Sequence, residues 1–185
     1  MQIASSVYQR YLLLLGLLAG LAGCSSADVA SHAANQPKLV IEDFFSGKLT
    51  AHGIVKNRSG ELIRYFNVVI DASWDEQGVG TLDEHFVFDD GEKQQRIWTL
   101  VRQSDGSFLA SANDVSQAAT MRLAGNALFM DYVLTLDYKG SPMDVVVEDK
   151  MYLVNPATIV NESVMKKFGF KVGSVSLVIQ KQVLG

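Results

Sequence analysis

From Leu39 to the C-terminus, apolar and polar residues alternate with a period of two over most of the chain. Such a period puts successive side chains on opposite faces of a β-strand. Gly, Asn, Asp and Pro interrupt the alternation where the backbone must reverse, at residues 57–60, 75–78, 90–91, 104–106, 125–126, 139–142 and 155–156. The runs between these turns predict roughly nine or ten antiparallel strands.

Helix is favoured at only two places. The segment from Leu39 to Phe45 predicts a short helix that closes one end of the fold. The segment from Asn161 to Phe168 fits either a helix or a strand, because short apolar runs do not separate the two periods.

Long consecutive antiparallel strands leave two exposed edges unless the sheet closes on itself. We therefore predict an all-β fold, an up-and-down β-barrel of about 8 to 10 strands over residues 39–185. A β-sandwich is the alternative, and no local feature of the sequence excludes it.

The alternation also predicts which side chains point inward. One run supplies Phe66, Val68, Ile70, Ala72 and Trp74 on a single face, and other runs supply Leu82 with Phe86 and Phe88, Trp98 with Leu100, and Leu128, Met130, Tyr132, Leu134 and Leu136. The predicted interior is therefore rich in aromatic side chains and methionines. We expect Trp74, Phe86, Trp98 and Tyr132 to line a cavity.

Three charged residues, Arg64, Glu84 and Arg96, fall on these inward faces. An unpaired buried charge is costly, whereas a hydrogen-bonded pair is tolerated. We predict that Glu84 pairs with Arg96, with Arg64 as the alternative partner, inside the barrel or at its mouth. The pair could orient a ligand or only stabilise the barrel. Asp149 interrupts its own face in the same way, and it either extends this cluster or marks the end of a strand.

The N-terminus has the layout of a secretory signal peptide. One positive side chain, Arg10, is followed by uninterrupted apolar and small residues from Tyr11 to Gly23. This run is shorter than the about 20 residues that a membrane-spanning helix needs. We predict that residues 1–23 are a signal peptide.

The only cysteine of the chain, Cys24, directly follows this run. The sequence Leu21-Ala22-Gly23-Cys24 resembles the lipobox of bacterial lipoproteins, which implies that Cys24 carries diacylglycerol and acyl chains as a membrane anchor. Residues 24–38 are polar and small, so we predict a flexible tether there, with a solvated His32. Gram-negative lipoproteins that are retained in the inner membrane mainly carry Asp directly after the acylated cysteine. This chain has Ser25 at that position, so we expect the periplasmic leaflet of the outer membrane.

Composition and motifs argue against several classes of function. The formal net charge is −4 without a basic cluster, so no nucleic-acid partner is expected. Three scattered histidines and one cysteine give no metal-ligand spacing, and we predict no metal site and no cofactor. His52 and His85 fall on outward faces. No nucleophile elbow occurs, so we predict no catalytic residue.

The domain also resembles an uncharacterised family of proteobacterial lipoproteins, domain of unknown function 3833. The residues that carry the resemblance run in order from Phe44 to Lys181: Phe44 to Gly47, Leu49, Ala51, Gly53, Leu82, Glu84, Phe86, Asp89, Gly91, Arg96, Trp98, Asp114-Val115, Gly125 to Ala127, Asp149, Met151-Tyr152, Asn161 and Lys167 to Gly169. The resemblance implies a lipocalin-like barrel and a connection with lipids, because members lie near genes for fatty-acid modification. It implies no catalytic residues.

Three hypotheses on function follow. The first is an outer-membrane lipoprotein that binds an apolar or acyl-chain ligand, a fatty acid or a phospholipid, with Glu84 and Arg96 at its polar end. The second is a structural or partner-binding protein with a packed interior, which would leave no cavity larger than a few waters. The third is a lipid-modifying enzyme, which would require Glu84, Asp149 or Asp131 to be a buried acid with a shifted pKa beside a pocket.

Overall fold

The computed structural model describes residues 28–182. Within them, ten antiparallel strands form one closed barrel in which every strand pairs with its sequence neighbours. The strands are β1 (Gly47–Asn57), β2 (Leu62–Trp74), β3 (Val79–Phe88), β4 (Lys93–Arg102), β5 (Phe108–Ala112), β6 (Ala119–Ala124), β7 (Ala127–Tyr138), β8 (Ser141–Asn155), β9 (Thr158–Lys167) and β10 (Phe170–Lys181). Pairing of β1 with β10 closes the sheet. The predicted up-and-down barrel is confirmed, and the sandwich is excluded.

The inward faces follow the alternation in the sequence. Phe66, Val68, Ile70 and Ala72 of β2 are buried, while the residues between them are exposed. The stretch that fitted either helix or strand belongs to β9 as far as Lys167, and inward Asn161 alternates there with outward neighbours.

A short helix, α1 (Ile41–Phe44), closes one end of the barrel as predicted. Its apolar residues Ile41 and Phe44, together with Phe45 just after it, are buried. The Phe44 and Phe45 rings meet edge to face with centroids 5.1 Å apart. We call this the closed end. The opposite end, which carries the β1–β2, β3–β4, β5–β6, β7–β8 and β9–β10 connections, is called the open end.

Residues 28–38 do not form the free tether that was predicted for them. Val29 begins a 3-10 helix (Val29–His32) and is buried against Ala127 and Phe129 of β7. The His32 ring, which was expected to be solvated, contacts the edges of Phe129 and Tyr152, with centroids 5.5 and 5.4 Å away. The segment packs against the barrel because Phe129 and Tyr152 form an apolar surface on the outside of the wall, and the segment covers this surface.

Gly125 explains how the segment can lie so close to the β6–β7 turn. Its φ is +55°, and a Cβ atom there would lie 1.9 Å from the carbonyl oxygen of His32. The amide of Leu39 donates to the carbonyl oxygen of Gly125 at 2.8 Å. A side chain at residue 125 is therefore incompatible with this contact.

No helix between residues 28 and 182 is long and apolar enough to span a membrane. The predicted signal peptide (residues 1–23) and the predicted acylation site Cys24 lie outside the described residues.

Candidate functional site

The interior of the barrel is not filled by its own side chains. It contains a cavity of about 880 Å³ that reaches the surface at the open end, where exposed Glu92, Gln94 and Asp137 line it. Most of its wall is apolar, contributed by Ala51, Val55, Phe66, Val68, Ile70, Leu82, Phe86, Phe88, Trp98, Leu100, Met121, Met130, Leu134, Leu136, Val147, Met151, Met165, Val175, Leu177 and Ile179. Phe45 lines the cavity from the side of α1. The cavity is therefore a deep, mostly apolar pocket that reaches the surface at the open end.

Arg96 of β4 lies in the wall of the cavity. Its Nε donates to Asp114 at 2.9 and 2.8 Å, and its Nη2 lies 2.7 Å from the same carboxylate. Burial alone would lower the pKa of Arg96, but the hydrogen bonds to Asp114 raise it above the ordinary value. Arg96 is therefore permanently charged, and its Nε and Nη2 are paired with the Asp114 carboxylate.

The predicted ion pair between Glu84 and Arg96 is wrong in its partner. Glu84 of β3 lies directly opposite Arg96 of β4 in the sheet register. The ion-pair contact of Arg96 nevertheless goes to Asp114, in the connection between β5 and β6. Asp114 competes successfully because it reaches two nitrogens of the guanidinium at once, a geometry that strengthens such pairs.

Glu84 consequently keeps a carboxyl group facing the cavity without a salt bridge to any residue between 28 and 182. Burial raises the pKa of Glu84 to about 7, and the positive charge of Arg96 and a hydrogen bond from Trp98 only partly oppose this shift. The negative charges of Asp114 and Asp149 raise it further. Glu84 is thus poised between its neutral and ionised forms near neutral pH.

Asp149 lies in the middle of β8 and faces inward, so it extends the polar cluster and does not mark a strand end. It is 5% exposed and accepts hydrogen bonds from the Nδ2 of Asn161 and from the Oγ of Ser163, the latter at 2.7 Å. Burial raises the pKa of Asp149, and these two hydrogen bonds oppose the rise. Asn161 and Ser163 of β9 are therefore part of the site.

Two predicted aromatic residues stand next to this polar cluster. The Trp98 and Tyr132 rings meet edge to face with centroids 5.5 Å apart. Both line the cavity, as does Phe86. Burial, followed by the charge of Asp149, raises the pKa of Tyr132, so its hydroxyl stays neutral. The predictions that place Phe86, Trp98 and Tyr132 in the wall agree with this geometry.

Arg64 lies at the mouth and does not pair with Glu84. Its Nη2 contacts Asp90 at 3.0 Å and Glu92 at 2.5 Å, both in the β3–β4 connection. Its guanidinium carbon lies 3.6 Å from the centroid of the Phe88 ring. Arg64 thus joins the rim of the open end to the aromatic wall beneath it.

Trp74 is the one predicted lining residue that the structure puts elsewhere. It lies near the closed end, where its Nε1 donates to the carbonyl oxygen of Phe45 at 2.8 Å. Its ring meets the Phe108 ring edge to face, with centroids 5.9 Å apart. It covers Gly80, where a Cβ atom would lie 2.7 Å from the indole. The parity of β2 was correct, but the strand extends past the cavity to the end that α1 covers.

Sequence reasoning did not assign Asp114, Asn161 and Ser163 to the site, although Asp114 and Asn161 are among the residues that carry the family resemblance. Asn161 and Ser163 share the inward face of β9 with Ile159 and Met165, a period-two signal that the helix alternative for this stretch obscured. Asp114 lies in a connection between two short strands, and no alternation identifies such a position.

Two histidines and one acid that the sequence analysis singled out lie away from the cavity. No group of three or more His, Cys, Asp or Glu side chains there could hold a metal ion. His52 bonds Asn67 at 2.6 Å and His85 lies 3.2 Å from Asp83, both on the outer surface. Asp131, proposed as a possible buried acid, is exposed and pairs with Arg122 at 3.4 Å.

A family model described as "Protein of unknown function (DUF3833)" matches residues 18–181. No curated protein matches the chain. Among solved structures, a protein of unknown function from the DUF3598 family of Nostoc punctiforme is similar, with 15% identity, 88% of this chain covered and a TM-score of 0.58. This chain spans about half, 54%, of that protein. The S-type phycobiliprotein lyase of Guillardia theta is also similar, with 14% identity, 86% of this chain and 100% of the lyase covered, and a TM-score of 0.55.

Proposed function

Because the chain belongs to the DUF3833 family, whose function is unknown, we propose a function from the cavity of its barrel. The protein binds a ligand with a long apolar part, such as a lipid chain, inside the barrel. The ligand enters through the open end and its apolar part lies against Phe86, Trp98 and Tyr132. The observation that carries this proposal is the cavity itself.

The size and lining of the cavity favour a ligand over a packed interior. Small-molecule pockets usually span about 300 to 1,000 Å³ and are mostly apolar with a few polar groups. The cavity of about 880 Å³ has this character, with Glu84, Arg96 and Asp149 as the polar groups. A barrel that served only as a structural or partner-binding module would be expected to pack its interior to native density.

Two valines of β2 offer a matched pair of variants to test the proposal. Val68 is 4% exposed and lines the cavity, whereas its neighbour Val69 points outward and is 48% exposed. We expect Val68→Trp to block the binding of N-phenyl-1-naphthylamine, an apolar fluorescent probe, because the indole fills the middle of the cavity. Val69→Trp should leave binding unchanged. Equal binding by both variants would overturn the proposal, provided that circular dichroism shows both folded.

We also propose that Cys24 anchors the protein in the periplasmic leaflet of the outer membrane. The support is the lipobox-like sequence before Cys24 and the Ser at residue 25. Growth on labelled palmitate should label the wild-type protein and leave Cys24→Ser unlabelled. Density fractionation of the envelope should then recover the wild-type protein with outer-membrane markers. Recovery in the soluble periplasm would contradict the anchor.

Catalysis on the bound ligand is a second candidate function. One observation favours it: Glu84 faces the cavity with a pKa of about 7, which suits a general acid or base at neutral pH. A lyase from Guillardia theta has the same fold, although fold alone does not establish activity. Ligand extracted from wild-type protein and from Glu84→Gln should differ in mass if Glu84 takes part in a reaction. Identical masses would favour binding alone.

A further inference from the structure

Acidic residues outnumber basic residues in the wall of the cavity. Two of the charged residues are basic, Arg64 and Arg96, and the others are the acids Glu84, Glu92, Asp114, Asp137 and Asp149. No lysine or histidine of residues 28–182 lines the cavity. The wall therefore carries an excess of negative charge, which repels an anionic ligand and attracts a cationic one.

Each arginine already pairs with protein carboxylates, although the Nε of Arg64 is buried without a hydrogen-bond partner. Asp114 holds Arg96 through both Nε and Nη2. Arg64 is held at the mouth by Asp90 and Glu92. A ligand carboxylate or phosphate would therefore meet guanidinium groups whose charge protein carboxylates already neutralise, and an acid displaced from one of these pairs would lose its partner in a poorly solvated site.

Acceptors, in contrast, are available deep in the cavity. Glu84 lines the cavity and has no ion-pair partner among the described residues, and Trp98 is the one side chain that contributes a hydrogen bond to the pKa of its carboxyl group. Asp149 holds hydrogen bonds from Asn161 and Ser163, and its charge acts on Glu84. Buried acceptors without a full set of donors are costly, and a ligand that supplies a donor relieves that cost.

We infer that the ligand of this cavity presents a hydrogen-bond donor, an amine or a hydroxyl, to the Glu84 carboxylate, and that carboxylate and phosphate head groups are disfavoured. This inference rests on the proposed function, since it assigns the polar end of the same ligand. It revises the sequence-based expectation that Glu84 and Arg96 together receive a fatty acid. Asp114 neutralises the arginine that a fatty acid would need.

An amine and a hydroxyl can each donate a hydrogen bond to Glu84, but only the protonated amine carries a positive charge. A protonated amine gains from the negative wall and forms an ion pair with Glu84, which is worth more than a neutral hydrogen bond. A hydroxyl gains only the hydrogen bond. The order of affinity expected for ligands with one chain length is therefore amine first, alcohol second and carboxylate last.

The test uses the chain from residue 24 with Cys24→Ser, which keeps every core residue of the barrel and all ten strands. Decylamine, decanol and decanoate are titrated against bound N-phenyl-1-naphthylamine at pH 8. We expect decylamine to displace the probe at a concentration at least about tenfold below that of decanoate, equivalent to about 1.4 kcal/mol. Decanol should fall between them.

Two variants separate the Glu84 contact from the general attraction of a negative protein for an amine. Glu84→Gln should reduce the advantage of decylamine over decanoate by at least about fivefold, because the ion pair is lost while the cavity keeps its shape. Glu76→Gln removes one acid from the exposed β2–β3 turn near the closed end and should leave the advantage unchanged.

The outcomes distinguish this inference from the proposed function. If decanoate displaces the probe as well as decylamine does, the inference is wrong and the binding function stands. If both glutamate variants reduce the advantage equally, the preference comes from the overall charge and the role of Glu84 is wrong. If the probe itself does not bind to folded protein, the proposed function fails and the inference fails with it.

Discussion

Glu84 and Arg96 lie directly opposite one another on β3 and β4 inside the barrel, yet the guanidinium is bound by a third residue, Asp114. This arrangement leaves a carboxyl group in a mostly apolar cavity without a counter-ion of its own. The charge of the cavity wall, the pKa of Glu84 and the preference proposed for the ligand all follow from it.

The first prediction concerns the pH dependence of stability. Burial raises the pKa of Glu84 from 4.5 to about 7, so the folded state binds its proton more tightly than the unfolded chain does. A raised carboxyl pKa destabilises the folded state increasingly as pH rises from about 4.5 to above 7. Glu84→Gln, which cannot ionise, should therefore be more stable than wild type at pH 8 by roughly 1 to 3 kcal/mol.

The measurement for this prediction is urea unfolding of both proteins at pH 5 and pH 8. The difference between the variant and the wild type should be much smaller at pH 5 than at pH 8, because Glu84 is protonated in the folded protein at pH 5 and does not have to ionise inside the cavity. Comparing the two proteins at each pH removes the contribution of the other titrating groups. A constant difference at both pH values would show that ionisation of Glu84 does not govern it.

The second prediction concerns Asp114. Asp114→Asn removes the charge that holds Arg96, and breaking a buried pair from one side costs about 3 to 5 kcal/mol. We expect a smaller loss, about 1 to 3 kcal/mol in urea unfolding, because the side chains of this pair are partly exposed to the cavity. The freed Arg96 can then receive an anion, so decanoate should bind more tightly to this variant than to wild type. Unchanged or weaker decanoate binding would contradict the role given to Asp114.

The third prediction is that Trp74, at the closed end, contributes to stability and not to ligand binding. Trp74→Phe removes the hydrogen bond from the indole to the Phe45 carbonyl oxygen, which should cost about 1 kcal/mol of unfolding free energy. Because Trp74 lies away from the cavity, binding of N-phenyl-1-naphthylamine should not change. Trp98→Ala, in the wall, should weaken it clearly. If Trp74→Phe weakened binding as much as Trp98→Ala did, the boundary drawn for the cavity would be wrong.

The fourth prediction tests the contact of the N-terminal segment with the barrel. Gly125→Ala would put a Cβ atom 1.9 Å from the His32 carbonyl oxygen, so residues 28–38 must move away. Limited proteolysis should then cleave this segment faster than in wild type. Gly106→Ala is the control, because Gly106 also has a positive φ, +86°, but has no atom within 4 Å of the added Cβ. Equal cleavage in the two variants would mean that backbone strain, and not the contact, is responsible.

Much of the barrel was predictable because its signal is local. The period of two identifies the inward face of β2, and the turn residues mark most strand ends, so closure into a barrel follows from the need to pair two edges. The contact of Val29 with Phe129 was not predictable in this way. Phe129 is an apolar residue at an outward position of β7, which indicates a covering segment without saying which segment covers it.

The candidate site was predictable only in part, for a related reason. Strand parity correctly put Glu84, Arg96, Trp98 and Tyr132 inside, because parity depends only on neighbours in sequence. The partner of Arg96 depends on which connection folds over the mouth, and the sequence around Asp114 carries no such information. Trp74 was misplaced along the barrel axis, since parity fixes the face of a strand and not the depth of a residue.

The central claim is that the barrel holds a ligand with a long apolar part, and native mass spectrometry tests it most directly. The protein would be produced in its own host, purified without detergent as the Cys24→Ser chain from residue 24 with a cleavable export signal, and then extracted with solvent. We predict a mass increase at near one-to-one stoichiometry and an extracted amphiphile that carries an amine or hydroxyl donor. A folded protein with only its apo mass would contradict the claim.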